Sequence, residues 1–178
     1  MELPTISDGV VTLRPKRPED AEAITAACQD PEIPRWTFVP SPYTREHAVE
    51  YIARSAAEAL AGRTADLLAV DADGQLLGAF SVMELDRAPG YGEIGYWVAA
   101  DARGRGVATR AVRLLRDWAQ ESLGLELLEI LTREENLGSR RVAERAGFKS
   151  TGERRANPRD PSGDAHYLVY AWRAPSAA

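Results

Sequence analysis

Glu93-Ile94-Gly95-Tyr96-Trp97-Val98, followed a few residues later by Arg103-Gly104-Arg105-Gly106-Val107-Ala108, is the stretch on which the fold turns. The first six residues are rich in β-branched and aromatic side chains and predict a strand. The second six break it, because two glycines free the backbone to take positive φ and to approach a ligand closely. Val107, Ala111, Leu114, Leu115 and Trp118 then recur at helical spacing, with arginines on the other faces, and Gly124 marks the end. The unit reads strand, glycine loop, helix, with free N–H groups at the helix start that suit an anion. A glycine-bearing turn with two solvated arginines is the plain alternative for this fragment on its own.

Downstream, Leu127-Leu128-Glu129-Ile130-Leu131 reads as a mostly buried strand, residues 137–146 as a short helix closed by Gly147, and Phe148 onward as another strand. Residues 157–163 form a loop before a last strand over 166–172. Upstream, Leu67-Leu68-Ala69-Val70 and Leu76-Leu77-Gly78-Ala79-Phe80 flank Asp71-Ala72-Asp73-Gly74, whose Asp-Gly pair signals a hairpin. Val10-Val11-Thr12-Leu13-Arg14 has strand composition, and Pro18-Glu19-Asp20 starts a helix that ends before Pro31. A stretch rich in proline and aromatics follows over 31–43, then Thr44 as N-cap of an alanine-rich helix that Gly62 stops. The order is hairpins first, then strand-helix-strand-helix-strand, then a closing hairpin.

The 178 residues, 44% apolar and 28% charged, suit one domain spanning the chain, with a frayed tail over 174–178. A net charge of -5 leaves no basic footprint for nucleic acid, so an anionic ligand must be held locally. No stretch has the roughly 18 apolar residues a membrane span needs, and no leader opens the chain, so the cytoplasm is the default. The lone cysteine, Cys28, sits among alanines in a helical segment and reads as inert. His47 and His166 lie far apart in sequence without metal-ligand spacing, so no metal is expected.

Three phosphate-loop types compete for residues 103–109. A Walker loop needs Gly-Lys-Ser/Thr, and no lysine follows either glycine. The dinucleotide fingerprint finds Gly104, Gly106 and, about 20 residues on, Glu129, but its third small position holds Thr109. That fingerprint also joins the first strand and first helix of its domain, whereas antiparallel strands come first here. The third type is Arg/Gln-x-x-Gly-x-Gly/Ala, present as Arg103 to Ala108. With it stand Leu13-Arg14-Pro15, Pro18-Glu19-Asp20-Ala21, Gly95-Tyr96-Trp97-Val98, and Asn136-x-x-Ser139-x-x-Val142-Ala143-Glu144-x-x-Gly147-Phe148. In that order these stretches resemble the GNAT superfamily of N-acetyltransferases, and within it the RimJ/RimL type of ribosomal-protein N-terminal acetyltransferase.

The resemblance implies an α+β fold. Its sheet is mixed, strongly twisted and mostly antiparallel, with helices on both faces and a central parallel pair, over 93–99 and 126–132, that splays apart. It implies acetyl-CoA as donor, with the pyrophosphate on the backbone of Arg103, Gly104, Arg105, Gly106, Val107, Ala108 and Thr109. The pantetheine arm would meet the main chain of Val98 and Ala100, and Asn136 would touch the arm or cap the next helix. The tyrosine of many superfamily members is replaced here by Ala143, and RimL-like members have serine at Ser139, where a hydroxyl assists protonation of the leaving sulfur. A helix-surface serine is the alternative.

For a general base, Glu93 at the head of the strand is the candidate, against a solvated strand-end carboxylate. At pH 7, deprotonating a lysine demands about 3 kcal/mol more than deprotonating an α-amine, so a site with one such base suits a protein N-terminus or a small-molecule amine. Trp36, Phe38 and Tyr43 shape the acceptor side of the cleft or pack beneath it. A homodimer is among the expected assemblies. A CoA-binding sensor without turnover and a nicotinamide-dependent oxidoreductase are the competing functions.

Overall fold

The computed structural model describes residues 1–85, 88–160 and 166–175. Eight strands appear among them: β1 (Ile6–Ser7), β2 (Thr12–Pro15), β3 (Ala65–Val70), β4 (Leu76–Met83), β5 (Tyr91–Val98), β6 (Leu127–Thr132), β7 (Lys149–Ala156) and β8 (His166–Arg173). They make one sheet in the order β1-β2-β3-β4-β5-β6-β8-β7. Five helices accompany it: α1 (Ala21–Ala27), α2 (Glu32–Trp36), α3 (Arg45–Leu60), α4 (Val107–Leu123) and α5 (Leu137–Arg145).

Every neighbouring pair runs antiparallel except β5 and β6, which α4 joins as a crossover and which are therefore parallel. That pair holds only for Tyr91↔Leu127, Gly92↔Leu128 and Glu93↔Glu129. Beyond it β5 stays paired to β4 as far as Val98, and β6 to β8 as far as Thr132. The two strands therefore part in mid-sheet and leave facing edges. This mixed order is the α+β arrangement expected, and it excludes the all-parallel sheet of a dinucleotide-binding domain.

Strand alternation sorts the core into two layers. Phe80, Val82 and Ile94 pack against Val107, Ala111 and Leu115 of α4, with Ala143 of α5 in the same cluster. Leu68, Ala79 and Trp97 face the other way, onto Ile24 of α1, Ile33 of α2 and Ala48 of α3. Burying each such large side chain stabilises the fold by about 1.5–3 kcal/mol. Helices thus cover both faces.

Local chemistry sets the ends of the elements. Thr44 Oγ1 accepts from the His47 N–H at 3.4 Å while His47 Nδ1 accepts from the Thr44 N–H at 3.1 Å, so His47 serves as a cap. Asp71 Oδ1 accepts from the N–H groups of Asp73 and Gln75 and closes the β3–β4 turn. Gly124, at φ 66°, ends α4.

The structure departs from the pattern reading in three places. Residues 31–43 contain α2, with Pro34 in its first turn, where a missing N–H breaks no intrahelical bond. Pro18–Asp20 is a 3-10 turn leading into α1. β5 begins at Tyr91 because Tyr91 and Gly92 pair with Leu127 and Leu128 of β6, and glycine fits at 92 because a Cβ would come within 2.7 Å of Val82 Cγ1. Residues 161–163 of the expected loop and 176–178 of the expected tail lie outside the described residues.

Candidate active site

A cavity of ≈ 760 Å³ opens where β5 and β6 part. The glycine loop and the start of α4 line one end of it. Gly104 and Gly106 have φ of 73° and 77°, and a Cβ built on either would meet nothing within 4 Å. The backbone sign, and not crowding, demands glycine there. The Arg110 N–H makes a helical bond to Gly106 O at 3.1 Å, so the N–H groups of Val107, Ala108 and Thr109 have no acceptor within α4. All three residues line the cavity, so the positive end of a 17-residue helix faces it.

Of the two loop arginines only Arg103 belongs to the lining, and its guanidinium is already engaged. Arg103 donates to Val98 O from Nε at 3.2 Å and Nη2 at 3.0 Å, and forms an ion pair with Asp30 at 2.5 Å. Arg105 is exposed and outside the lining.

The facing edge of β5 can be read from one bond. The Ala99 N–H donates to Leu77 O at 3.0 Å, toward β4. Alternation then points the main-chain groups of Val98, Tyr96 and Ile94 toward the cleft. Val98 lines the cavity. Ala100 lies instead in an exposed 3-10 turn outside the lining, and Ala102 takes its place in the wall.

Across the cleft, Asn136 Oδ1 accepts from the Ser139 N–H at 3.0 Å and caps α5, and both residues line the cavity. The cap holds the first turn so that Ser139 Oγ stands 2.9 Å from the Tyr96 hydroxyl. Tyr96 stacks on Phe80, with centroids 5.4 Å apart and planes at 11°. Burial pushes its hydroxyl up to about 12, although the Ser139 contact opposes this, so the phenol stays protonated at neutral pH. Sequence reasoning passed over Tyr96, whose partner lies on a different element.

Glu93 is only 6% exposed and lines the cavity beside the splay point. Its carboxylate forms an ion pair with Arg159, which also reaches Glu84 at 3.1 Å. Burial raises the Glu93 carboxyl above its ordinary value, while Arg159 pulls it down and Glu84 and Glu129 push it up. It is a buried, paired carboxylate, and not a solvated strand end. Arg159, in the loop after β7, is a second residue that sequence reasoning missed.

Trp36 and Phe38 line the cavity on the α2 side. Tyr43 does not, because it is buried in the cluster with Ile24, Cys28 and Ile33 beneath the wall. Cys28 is buried, and burial pushes its thiol up to about 12, which removes it as a nucleophile. His166 is exposed at the head of β8. Among the described residues no cluster of acidic, histidine or cysteine side chains could hold a metal, and no helix is long and apolar enough to cross a membrane.

A sheet split at a parallel pair, with a helix N-terminus at the mouth of the split, is an acyl-CoA transferase arrangement. Residues 11–149 match the model of the Acetyltransferase (GNAT) domain, so the chain belongs to the GNAT acetyltransferase family and is an N-acetyltransferase that draws on acetyl-CoA. It is 35% identical over 167 residues to a Bacillus subtilis protein named "Putative ribosomal N-acetyltransferase YdaF", covering 90% of this chain and 88% of that one. It superposes on Mycobacterium smegmatis RimJ, solved in complex with CoA-disulfide, with a TM-score of 0.81 and 27% identity, over 93% of this chain and 83% of that one. A Vibrio cholerae structure described as a putative ribosomal-protein-serine acetyltransferase gives a TM-score of 0.83 at 19% identity, over 96% and 97% of the two chains, and shares the fold.

Proposed function

We propose that this enzyme acetylates the α-amine of a protein N-terminus, with Ser139 and Tyr96 serving the leaving sulfur. The observation that carries the reading is the 2.9 Å contact between their hydroxyls inside the cavity, beside the cleft-facing main chain of β5. The residues fit an acyl-CoA. The free N–H groups of Val107, Ala108 and Thr109 suit the pyrophosphate, with Gly104 and Gly106 shaping the approach and Arg103 and Arg105 in supporting roles. The cleft-facing N–H of Val98 suits the amide-bearing arm, its carbonyl being engaged by Arg103, as does Asn136, while Ala100 contributes through the turn that positions the loop.

The reaction needs an amine lone pair, a donor for the oxyanion and a proton for the departing thiolate. The Tyr96 N–H faces the cleft and serves as the main-chain donor for the first charge. Ser139 Oγ passes its proton to the second and regains one from water in the open cavity, so no alkoxide is left behind, and Tyr96 fixes its direction. Glu93 accepts a proton from the amine once Arg159 yields, directly or through water. Because that carboxylate is already engaged, a weak base serves the site, which favours an α-amine over lysine by about 3 kcal/mol at pH 7.

The name of the Bacillus subtilis relative supports a ribosomal acceptor. Trp36 and Phe38 form the acceptor wall, with Tyr43 bracing it from below. The same reading puts the protein in the cytoplasm, acting without nucleic acid, and a homodimer is its proposed assembly, which light scattering checks. Thiol release from acetyl-CoA over a panel of peptides, polyamines and aminoglycosides tests the function. Release with free N-terminal peptides is expected. Thermal stabilisation by CoA without release on any amine would instead mark a sensor.

A further inference from the structure

On the α3 face of the sheet, a buried polar cluster borders the cavity and has no part in the chemistry above. Lys16, its side chain 2% exposed, forms an ion pair with Asp66 Oδ1 at 2.5 Å, donates to Ser55 Oγ at 3.1 Å and lies 4.4 Å from the centre of the Tyr51 ring. Asp66 Oδ1 also accepts from Tyr51 Oη at 3.0 Å and from Ser81 Oγ at 2.9 Å. The ion pair of Lys16 with Asp66 brings no net charge to the cavity.

The direction of those two hydroxyl bonds matters, because each hydroxyl has one hydrogen and both hydrogens are engaged by Asp66. Burial and the nearby carboxylate raise the Tyr51 phenol well above its usual value, so its hydrogen stays in place. Tyr51 and Ser81 both line the cavity. What they offer a ligand is therefore lone pairs alone, and a group that meets them must donate.

The cluster is also on the right side of the sheet. Ser81 is paired with Gly95 across β4 and β5, and alternation puts both on the face of Trp97 and Glu93. Gly95 has no side chain of its own, and the space above it holds the flexible end of Met83, whose Cε lies 2.6 Å from where a Cβ would sit, so an acceptor on Ser81 reaches the splay point by turning the Met83 methyl aside. A group resting on Ser81 is one strand spacing, about 4.8 Å, from the main chain of β5.

We propose that Ser81 and Tyr51 form the docking site for the N–H groups of the acceptor, and so select a primary amine and aim its lone pair across Gly95 at the thioester. A neutral primary amine has two N–H groups and one lone pair. Two fixed acceptors hold the former and leave the latter free. A secondary amine fills one acceptor only. This inference rests on the acetyl-transfer reading and goes beyond it, because none of the residues assigned there is Ser81, Tyr51, Asp66 or Lys16.

Steady-state kinetics with the tetrapeptide Ser-Ala-Ala-Ala amide and its N-methylated form test it in the parent, Ser81→Ala, Ser81→Thr and Tyr51→Phe. Each alanine or phenylalanine variant should lose about three- to tenfold in kcat/KM for the primary amine, the loss falling in KM for the peptide. Its preference for the primary over the N-methyl peptide should shrink, its affinity for acetyl-CoA should stay as in the parent, and Ser81→Thr should restore both. Parental KM and parental preference in Ser81→Ala and Tyr51→Phe would overturn the proposal, as would a matching loss of acetyl-CoA affinity. If the parent turns over neither peptide, the α-amine reading has failed. The subsite is then read without turnover, by ligand-observed NMR of propylamine on the protein–CoA complex. Weaker binding in Ser81→Ala supports it, and equal binding refutes it.

Discussion

The Tyr96 hydroxyl on β5 and the Ser139 hydroxyl on α5 stand 2.9 Å apart, across a cleft whose two lips are held by different neighbours. β4 fixes one lip and β8 the other. The contact therefore reports whether the splay is set at the width the chemistry needs. Ser139→Ala should lower kcat by at least about 10² with acetyl-CoA affinity unchanged, as the loss of a proton donor requires. Tyr96→Phe should lower kcat less, keeping its ring on Phe80. The double variant should be no slower than Ser139→Ala, because a positioning hydroxyl has nothing left to position. Independent, multiplying losses in the double variant would separate the two residues.

Gly106→Val should abolish acetyl-CoA binding in calorimetry while the protein remains folded. A β-branched residue at φ 77° is strained by roughly 1–2 kcal/mol, and the helix start shifts to relieve it. Since a Cβ there meets nothing within 4 Å, lost binding would come from reoriented N–H groups. Retained affinity would remove the loop from the donor site.

Gly78→Ala probes the packing of β4 against β5, the strand that walls the cavity. Its Cβ would come within 2.3 Å of Trp97 O, a backbone atom that cannot rotate away. The β4–β5 register must give, at about 1–3 kcal/mol, visible as a lower melting temperature. An unchanged melting temperature would contradict the close approach of those strands.

Glu93 predicts the acid limb of the pH profile. A base works ionised, so kcat/KM should rise with pH through an apparent value above the ordinary 4.5, and Glu93→Gln should flatten that limb. For stability the sign is opposite. Just above pH 4.5 the folded carboxyl keeps a proton that the unfolded chain has released, so stability falls as pH rises until the folded group also ionises. The acceptor α-amine contributes its own limb at about 8 in every variant, so it is a limb below that one surviving Glu93→Gln that would assign the base elsewhere.

What the sequence disclosed was whatever depends on neighbours in the chain. The β5–loop–α4 unit, the Asn136 cap and the turn at Asp71 are local events, set by glycine, capping and strand composition. The parallel pair could be anticipated from the crossover helix, whereas its splay came with the family resemblance. The meeting of Tyr96 with Ser139, of Glu93 with Arg159, and of Ser81 and Tyr51 on Asp66 was hidden, because each joins elements whose spatial order local patterns do not encode. Tyr43 was misleading for a related reason: an aromatic in a loop can face a cleft or its support, and only packing decides. α2 went unseen because its proline sits in the one turn that tolerates it.

The central claim, transfer to an α-amine, is tested most directly by giving the enzyme acetyl-CoA and one peptide that carries both a free N-terminus and a lysine. Tandem mass spectrometry then locates the acetyl group. The account predicts acetyl on the α-nitrogen, with the lysine untouched while α-amine remains. Acetyl found first on the lysine ε-nitrogen would contradict it.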